Sequence, residues 1–341
     1  MFHTCQMEGK AIKPRRYLPA ILLSATLVTG MEAFAQAKGD EYPSRPVRMI
    51  VPFAPGGATD MIARQLATKL NEAWGQPVIV DNRPGASGGI AFALAAKAAP
   101  DGYTLLASSV SITIVETTLA KTLSIKPSRD LTGVTNLIEL PHLFVVSTAV
   151  QATSVKGLVE HVKKTGARLN YATSAVGTYT HLDAVRFLKA AGIEMTLVPY
   201  KGGAGQFIPA VMGNEVQFTM VNMASSIAHI RAGRMKALAT TWPTRRPELP
   251  DVPTMTESGF PGIGTNAWNG LFTPANVPKP LLNRIHADVV KAMESAAMKE
   301  QLAKQFMSVV VNKTPAEFTE FLRQEAKKWR QVVIENNITV E

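Results

Sequence analysis

The sequence predicts an α/β protein with two lobes, and three observations support this prediction. The chain has 341 residues, 46% of them hydrophobic, which is enough to build two separate cores. Short apolar runs typical of strands alternate with longer segments of helical spacing from residue 42 onwards. This alternation favours parallel sheets that are wrapped by helices.

The first 35 residues have the pattern of a secretory signal peptide. Basic residues lie between positions 10 and 16, an apolar stretch follows at 18–28, and Ala33 and Ala35 give the small-residue spacing of a cleavage site. So short an apolar stretch does not span the ~30 Å hydrocarbon core of a bilayer. We therefore expect cleavage rather than membrane anchoring, and a mature chain that begins near Gln36.

Composition narrows the classes of function. Cys5 is the single cysteine and leaves with the leader, so the mature chain is expected to contain no thiol, disulfide or cysteine-ligated metal. The formal net charge of +10 at pH 7 can concentrate anionic ligands, or it can simply keep the surface soluble. Nucleic acid is not an expected partner, since we find neither a clustered basic stripe nor a known binding module.

Apolar runs place the strands of the mature chain. They are predicted at 47–53, 77–80, 103–107, 143–147, 195–200, 216–221, 236–240 and 270–273. A proline-rich stretch at 242–280 is predicted to be an extended connection between the lobes, because apolar residues interrupt it.

Two helices have the clearest sequence signals. The first is marked by apolar residues on one helical face, namely Ile62, Leu66, Leu70 and Trp74. The last begins with Thr314 as N-cap, Pro315 at the first helical position and Glu317 as the capping-box residue. Its buried stripe is predicted to be Phe318, Leu322, Trp329 and Val333, which form core rather than a cofactor site.

A strand, a Gly/Ser/Thr-rich turn and a helix start follow one another at 51–60, 83–89 and 171–178. Glycine lets the backbone approach a ligand closely, and the free N–H groups of a helix's first turn favour an anion. One such turn is weak evidence, because most glycine-rich turns only reverse the chain. Their repetition predicts helix starts that face one cleft and hold a carboxylate without arginine.

Alternative chemistries have weaker support. The segment 85–89 fits the G-x-S-x-G elbow of a serine hydrolase that would use Ser87, but residues 81–84 separate the serine from its strand. Neither of the Gly-Gly pairs at 56–57 and 202–203 precedes a Lys-Ser/Thr pair, which excludes a Walker loop. His142, His181 and His229 lack metal-ligand spacing. We therefore predict no catalytic residue, no metal and no cofactor.

Six motifs together resemble the substrate-binding proteins of tripartite tricarboxylate transporters, also called Bug receptors. They are YPSRP at 42–46, VPFAPGGATD at 51–60, NRPGA at 82–86, APDGYTL at 99–105, VPYKG at 198–202 and LPDVPT at 249–254. The resemblance runs from about residue 42 to the C-terminus. It implies a type II periplasmic-binding-protein fold, in which two crossing strands join two lobes around a ligand cleft.

The resemblance also implies which residues bind the ligand. By position they are Phe53, Ala54, Gly57, Ala58, Asp60, Ala86, Ser87, Gly88, Thr173, Ser174, Gly177, Thr178, Tyr179, His181, Lys201, Val221 and Asn222. Structural alternatives exist for Asp60, which can cap its helix, and for His181, which can hydrogen-bond a neighbouring loop.

One departure from the family pattern bears on the ligand. Many relatives carry an Asp that can receive an amino group where this chain has Val221, so the resemblance makes an amino acid a less favoured ligand. Tyr179, Met220 and Trp268 can supply apolar ligand surface, which favours an aromatic or aliphatic dicarboxylate. The alternative is that these three side chains belong to the core.

The combined expectation is a monomeric, exported solute-binding protein that is not an enzyme. One lobe is predicted from residues 42–140 with 264–341, and the other from 141–263. The partners implied by the resemblance are a small carboxylate and the large and small membrane subunits of a tripartite transporter. A ligand sensor for a signalling system and, behind it, the Ser87 hydrolase are the alternatives.

Overall fold

The computed structural model describes residues 42–119, 121, 123–166, 168–336 and 338. The predicted signal peptide, at residues 1–35, lies outside the described residues. Within those ranges, no helix has both the length and the apolar character needed to cross a membrane.

Strands and helices alternate along the described chain. The strands are β1 (Val47–Val51), β2 (Val78–Asn82), β3 (Thr104–Ser109), β4 (Leu131–Leu140), β5 (His142–Ser147), β6 (Asn170–Thr173), β7 (Thr196–Pro199), β8 (Phe218–Asn222), β9 (Met235–Thr240), β10 (Ala267–Pro274) and β11 (Ser308–Val309). The helices are α1 (Ala58–Trp74), α2 (Gly89–Ala96), α3 (Ser111–Thr118), α4 (Pro127–Asp130), α5 (Val155–Thr165), α6 (Tyr179–Ala191), α7 (Ala204–Met212), α8 (Met223–Arg231), α9 (Lys279–Glu294), α10 (Ala296–Ala303) and α11 (Pro315–Glu335).

The strands form two sheets that are built alike. In the first sheet the order is β11-β4-β10-β3-β1-β2, and in the second it is β7-β6-β8-β5-β9. Parallel pairing joins β2, β1 and β3 in the first sheet and β7, β6 and β8 in the second. The remaining strands pair antiparallel, so the sheets are mixed rather than purely parallel as predicted.

Two connections cross between the sheets. Strand β4 of the first sheet passes through Pro141 directly into β5 of the second, and residues 241–266 return the chain from β9 to β10. The first apolar cluster lies mainly on the first sheet and also includes Tyr179 and Leu182 of α6, and the other two lie on the second sheet. This arrangement confirms the predicted fold class, with two α/β lobes joined by two crossing strands.

The predicted strands all occur, with ends shifted by a few residues, and β6 corresponds to the strand that opens the 171–178 segment, but β4 and β11 were not predicted. In β4 the pairing with β10 contains register shifts next to Gly270 and Phe272, which interrupt the period of two along the strand. Strand β11 has only two residues. Both features remove the alternation on which a strand prediction depends.

The last helix begins as predicted. The side chain of Thr314 accepts a hydrogen bond from the N–H of Glu317 at 3.2 Å, and the Glu317 carboxylate accepts from the N–H of Lys313 at 2.9 Å. Further along α11, the Glu325 carboxylate accepts hydrogen bonds from the indole N–H groups of Trp268 and Trp329, each at 3.2 Å. Because Trp268 lies on β10, Glu325 ties α11 to a crossing strand.

Candidate functional site

The candidate site lies where the carboxyl ends of the parallel strands of both sheets face each other. In each sheet the chain continues to one side of the central strand and then to the other, from β1 to β2 and β3, and from β6 to β7 and β8. Such switch points are where open α/β sheets bind ligands. Here the two switch points border a single space, which we call the interlobe cavity.

The interlobe cavity has a volume of about 40 Å³. Its lining consists of Phe53, Gly57, Ala58, Thr59, Ser109, Leu140, His142, Ser174, Tyr179, Gly203, Ala204, Asn222, Ala267 and Asn269. No Lys, Arg, Asp or Glu is among these described lining residues. Any anion held here therefore meets backbone N–H groups and neutral side chains.

Three helices begin at the interlobe cavity. Ala58, Tyr179 and Ala204 are the first residues of α1, α6 and α7, and all three line the cavity. None of the three helices has a side-chain hydrogen bond at its N-cap. The Gln206 N–H in the first turn of α7 donates to the carbonyl of Gly203 at 2.9 Å, but no side chain at the N-caps competes with an anion for the N–H groups at these helix starts, and the helix dipoles also favour an anion.

The first lobe lines the cavity with its loop at 53–58, which we call the first wall. A buried carboxylate anchors this wall. Asp60 accepts hydrogen bonds from the N–H of Gly56 at 3.1 Å, from Arg64 Nε at 3.0 Å and from Asn82 Nδ2 at 2.9 Å. Asn82 Nδ2 also donates to the carbonyl of Phe53 at 2.9 Å. Burial alone would raise the pKa of Asp60, but these hydrogen bonds outweigh burial and hold the pKa below its usual value. Asp60 thus supports the loop from behind.

The second lobe lines the cavity with its loops at 174–179 and 202–205, which we call the second wall. Neutral groups anchor this wall. His181 Nδ1 accepts a hydrogen bond from the N–H of Gly177 at 3.2 Å, and Thr178 Oγ1 donates to the carbonyl of Ala175 at 2.7 Å. The N–H of Ser174 donates to Thr180 Oγ1 at 3.2 Å. Burial lowers the pKa of His181 to about 4, so its ring is neutral at pH 7.

A neutral histidine lies at the first crossing. His142 Nε2 is 2.6 Å from the hydroxyl of Tyr179, and burial lowers the pKa of His142 to about 3. Burial also raises the pKa of Tyr179, so both groups are uncharged at pH 7. Among the described residues, the buried hydroxyl of Ser109 has no hydrogen-bond partner, and Ser109 lines the cavity. This hydroxyl is ready to donate to a ligand.

The two lobes touch directly around the interlobe cavity. The N–H of Ala54 donates to the carbonyl of Gly202 at 3.0 Å, Ser87 Oγ donates to the carbonyl of Val176 at 2.7 Å, and Thr118 Oγ1 donates to the carbonyl of Gly177 at 3.1 Å. The cavity volume of about 40 Å³ is far below the range of about 300–1,000 Å³ typical of small-molecule sites. The lobes are therefore closed, and a dicarboxylate enters only when they separate.

The predicted site residues fall into groups. Those that line the cavity are Phe53, Gly57, Ala58, Ser174, Tyr179 and Asn222. Those that make or flank the contacts between the lobes are Ala54, Ala86, Ser87, Gly88 and Gly177. Those that anchor the loops from behind are Asp60, Thr173, Thr178 and His181. Lys201 is exposed in its turn.

Val221 lies away from the cavity. Its side chain is 1% exposed and packs in an apolar cluster that includes Leu143 and Phe207. Met220 packs on the other face of the second sheet, and Trp268 packs edge-on against Phe318. Of the residues considered for apolar ligand surface, Tyr179 alone lines the cavity.

Sequence reasoning missed several lining residues. They are Thr59, Ser109, Leu140, His142, Ala204, Ala267 and Asn269. Ser109 had a signal, because the strand at 104–109 runs through serines into α3 just as the three recognised loops run into their helices. Asn269 is a polar residue in a fully buried strand, which is an informative pattern once the strand is located. Leu140 and His142 line the cavity because they flank the crossing at Pro141, and the sequence alone does not show where that crossing passes.

Known proteins are similar to this chain over most of its length. Residues 62–338 match the tripartite tricarboxylate transporter family receptors. A Rhodopseudomonas palustris protein solved with adipate is 30% identical, with a TM-score of 0.83 over 87% of this chain and 99% of that one. The periplasmic binding protein BugD is 28% identical, with a TM-score of 0.82 over 88% and 100%. MatC from the same Rhodopseudomonas species, solved with malate, is 28% identical, with a TM-score of 0.80 over 86% and 100%.

Proposed function

The chain belongs to the tripartite tricarboxylate transporter receptor family, and from this membership we propose that it captures an aliphatic dicarboxylate between its lobes and delivers it to a membrane transporter. Members of this family are periplasmic binding proteins and not enzymes.

The observation that carries the proposal is the convergence of three uncapped helix starts on the interlobe cavity. Helices α1, α6 and α7 bring free N–H groups from both lobes, and Ser109 adds a buried hydroxyl with no partner among the described residues. A carboxylate group needs several donors, and here they come from both lobes. An anion that bridges them would stabilise closure by binding the closed form more tightly than the open one.

The lining supports an aliphatic dicarboxylate over other acids. Leu140, Ala204 and Ala267 provide small apolar surface. An amino acid is disfavoured because no carboxylate among the described lining residues can pair with its ammonium group. Two similar proteins were solved with adipate and with malate, both aliphatic dicarboxylic acids. The aromatic alternative loses support, since Trp268 and Met220 pack elsewhere.

Location and partners complete the proposal. The leader pattern at residues 1–35 supports export to the periplasm. We take residues 42–140 with 264–341 as one lobe and 141–263 as the other, hinged at the two crossings. Family membership supports the two membrane subunits of a tripartite transporter as the partners that receive the ligand.

A titration with a matched pair of variants tests the proposal. Mature protein is titrated calorimetrically with malate, succinate, adipate, pimelate, phthalate, citrate and glutamate. An aliphatic dicarboxylate should bind, and Ser109→Ala should weaken it about 10-fold, because a hydrogen bond to a charged group contributes about 1.5 kcal/mol.

Ser108→Ala is the control. Ser108 is also buried and has no hydrogen-bond partner among the described residues, but it does not line the cavity. Its affinity should match that of the wild type. The proposal fails if no acid of the panel binds, or if the two serine variants weaken binding equally.

A further inference from the structure

A second cavity lies on the first lobe, away from the interlobe cavity. Its volume is about 680 Å³, and it runs between α3, α4 and α11 beside the ends of β4 and β10. We call it the α3–α11 groove. It shares no lining residue with the interlobe cavity, and its volume falls in the range of about 300–1,000 Å³ typical of small-molecule sites.

The floor of the groove is apolar. Ile112, Leu131 and Phe272 are each less than a tenth exposed, and the half-buried side chain of Leu322 continues their surface. The family function proposed above does not use any of these residues. An apolar floor of this kind favours a ligand with a hydrocarbon or aromatic body.

The rim of the groove is cationic. Arg129, Arg323, Lys327 and Arg330 line it, against the single carboxylate of Glu116. Glu116 accepts hydrogen bonds from the N–H and the hydroxyl of Ser128, at 2.8 and 2.7 Å. The one acidic group at the rim is therefore already satisfied by neutral donors.

The four cations differ in their partners. Arg129 pairs with Asp130 at 2.6 Å, and Arg323 pairs with Glu320. Lys327 and Arg330 have no ion-pair partner in the part of the chain that the structure describes. They are three positions apart on α11, so both face the same side of the helix. The groove thus presents two free cations above an apolar floor.

We propose that the α3–α11 groove binds a second ligand, a small amphipathic organic anion, with its apolar body on Ile112, Leu131, Phe272 and Leu322 and its acidic group at Lys327 and Arg330. A neutral apolar ligand would leave both cations unused, and a compact inorganic anion would leave the floor uncovered. A protein partner would need about 800 Å² of contact surface, which extends well beyond a pocket of this size.

The probe for this site is 8-anilinonaphthalene-1-sulfonate, which joins a fused aromatic body to a sulfonate and fluoresces in apolar surroundings. The full mature protein is titrated with it at low and high salt. We expect a saturable rise in probe fluorescence that fits one site per chain. Binding should be weaker at high salt, because the acidic group pairs with exposed cations.

Two variants of different chemistry locate the site. The double variant Lys327→Glu with Arg330→Glu should weaken binding at least about 10-fold, and Ala326→Trp should remove it by filling the groove. Lys291→Glu with Lys299→Glu makes the same change of net charge on exposed positions outside the groove and should leave binding unchanged. Circular dichroism confirms that each variant is folded.

Three outcomes overturn the proposal. The first is the absence of saturable binding to the wild type. The second is binding that survives in folded Ala326→Trp, which would place the probe elsewhere. The third is equal weakening in the groove and control charge variants, which would indicate a general charge effect. Adipate in excess should not displace the probe, so this result is independent of the dicarboxylate proposal.

Discussion

The two walls of the interlobe cavity present the same feature, an uncapped helix start, but they are held by different chemistry. The first wall relies on the Asp60 carboxylate, which accepts hydrogen bonds from Gly56, Arg64 and Asn82. The second wall relies on hydroxyls and on neutral His181. Backbone recognition of an anion therefore does not dictate how the backbone is supported, provided that no fixed charge reaches the cavity surface.

The two walls also contribute residues of different size to the contact between the lobes. The first wall offers Ala54 and Pro55, whereas the second approaches through glycines at 202, 203 and 205. A Cβ added at Gly205 would lie 2.4 Å from the Pro55 carbonyl oxygen. The close approach of the walls thus depends on the absence of side chains on the second one.

The largest expected effect comes from Gly205→Ala. The new methyl group would block full closure, and overpacking of about 1–3 kcal/mol corresponds to a loss of dicarboxylate affinity of about 5- to 150-fold. The stability of the ligand-free protein should change less, because its lobes can separate to relieve the contact and Ala favours the helical conformation of α7 over Gly. Calorimetric titration and thermal unfolding measure both quantities.

Gly157→Ala is the matched control, since Gly157 lies within α5 and far from the cavity lining. It should leave affinity unchanged. Affinity loss that is equal in both variants would contradict the role assigned to the close approach at Pro55.

A smaller effect is expected from Asp60→Ala. Gly56 and Asn82 would lose their acceptor, so the free energy of unfolding should fall by about 2 kcal/mol. The exposed Arg64 contributes little to this figure, because solvent screens its charge. Asp60→Asn keeps an oxygen acceptor and should lose less. Chemical denaturation measures all three proteins, and a change within about 0.5 kcal/mol for Asp60→Ala would show that the loop is anchored elsewhere.

The smallest effect at neutral pH is a difference in pH dependence between the walls, which develops only as the pH falls. The pKa of His181 is about 4 in the folded chain and about 6.5 when unfolded, so the unfolded state binds more protons between these values. The stability that neutral His181 provides is complete above pH 6.5 and is lost as the pH falls towards 4. The expected slope is up to about 1.4 kcal/mol per pH unit.

His181→Gln tests this expectation, because the Gln side chain can accept the Gly177 N–H without titrating in this range. The stability difference between wild type and His181→Gln should fall as the pH drops below 6.5. The titration of His142 changes the stability of the wild type and of His181→Gln in the same way, so it cancels in the difference between them. Asp60 affects the stability only at a lower pH, because its pKa is depressed and its stabilisation is lost only as the pH falls below about 4. Parallel pH profiles for the two proteins would exclude His181 as the titrating group.

Sequence predicted the fold more completely than the site. The alternation of strands and helices, which depends on local periodicity, predicted an α/β chain with two lobes, and the resemblance to the family implied the two crossings. Lining residues such as Leu140 and Ala267 depend on where the crossing strands pass, which no local pattern encodes. Val221 illustrates the limit, because its neighbour Asn222 does line the cavity, and one residue of strand decides which side chain faces the core.

Trp268 lies between Ala267 and Asn269, two residues that line the interlobe cavity, and its indole N–H is held by Glu325 on the last helix. Rotation of the lobes about this strand would reach the indole ring through these two neighbours, because the ring itself packs against Phe318 and Phe321 on the last helix. The chain has four tryptophans, and Trp268 is the one whose two chain neighbours both line the cavity, so a change in its share of the ultraviolet emission on ligand binding would report opening and closing without a label.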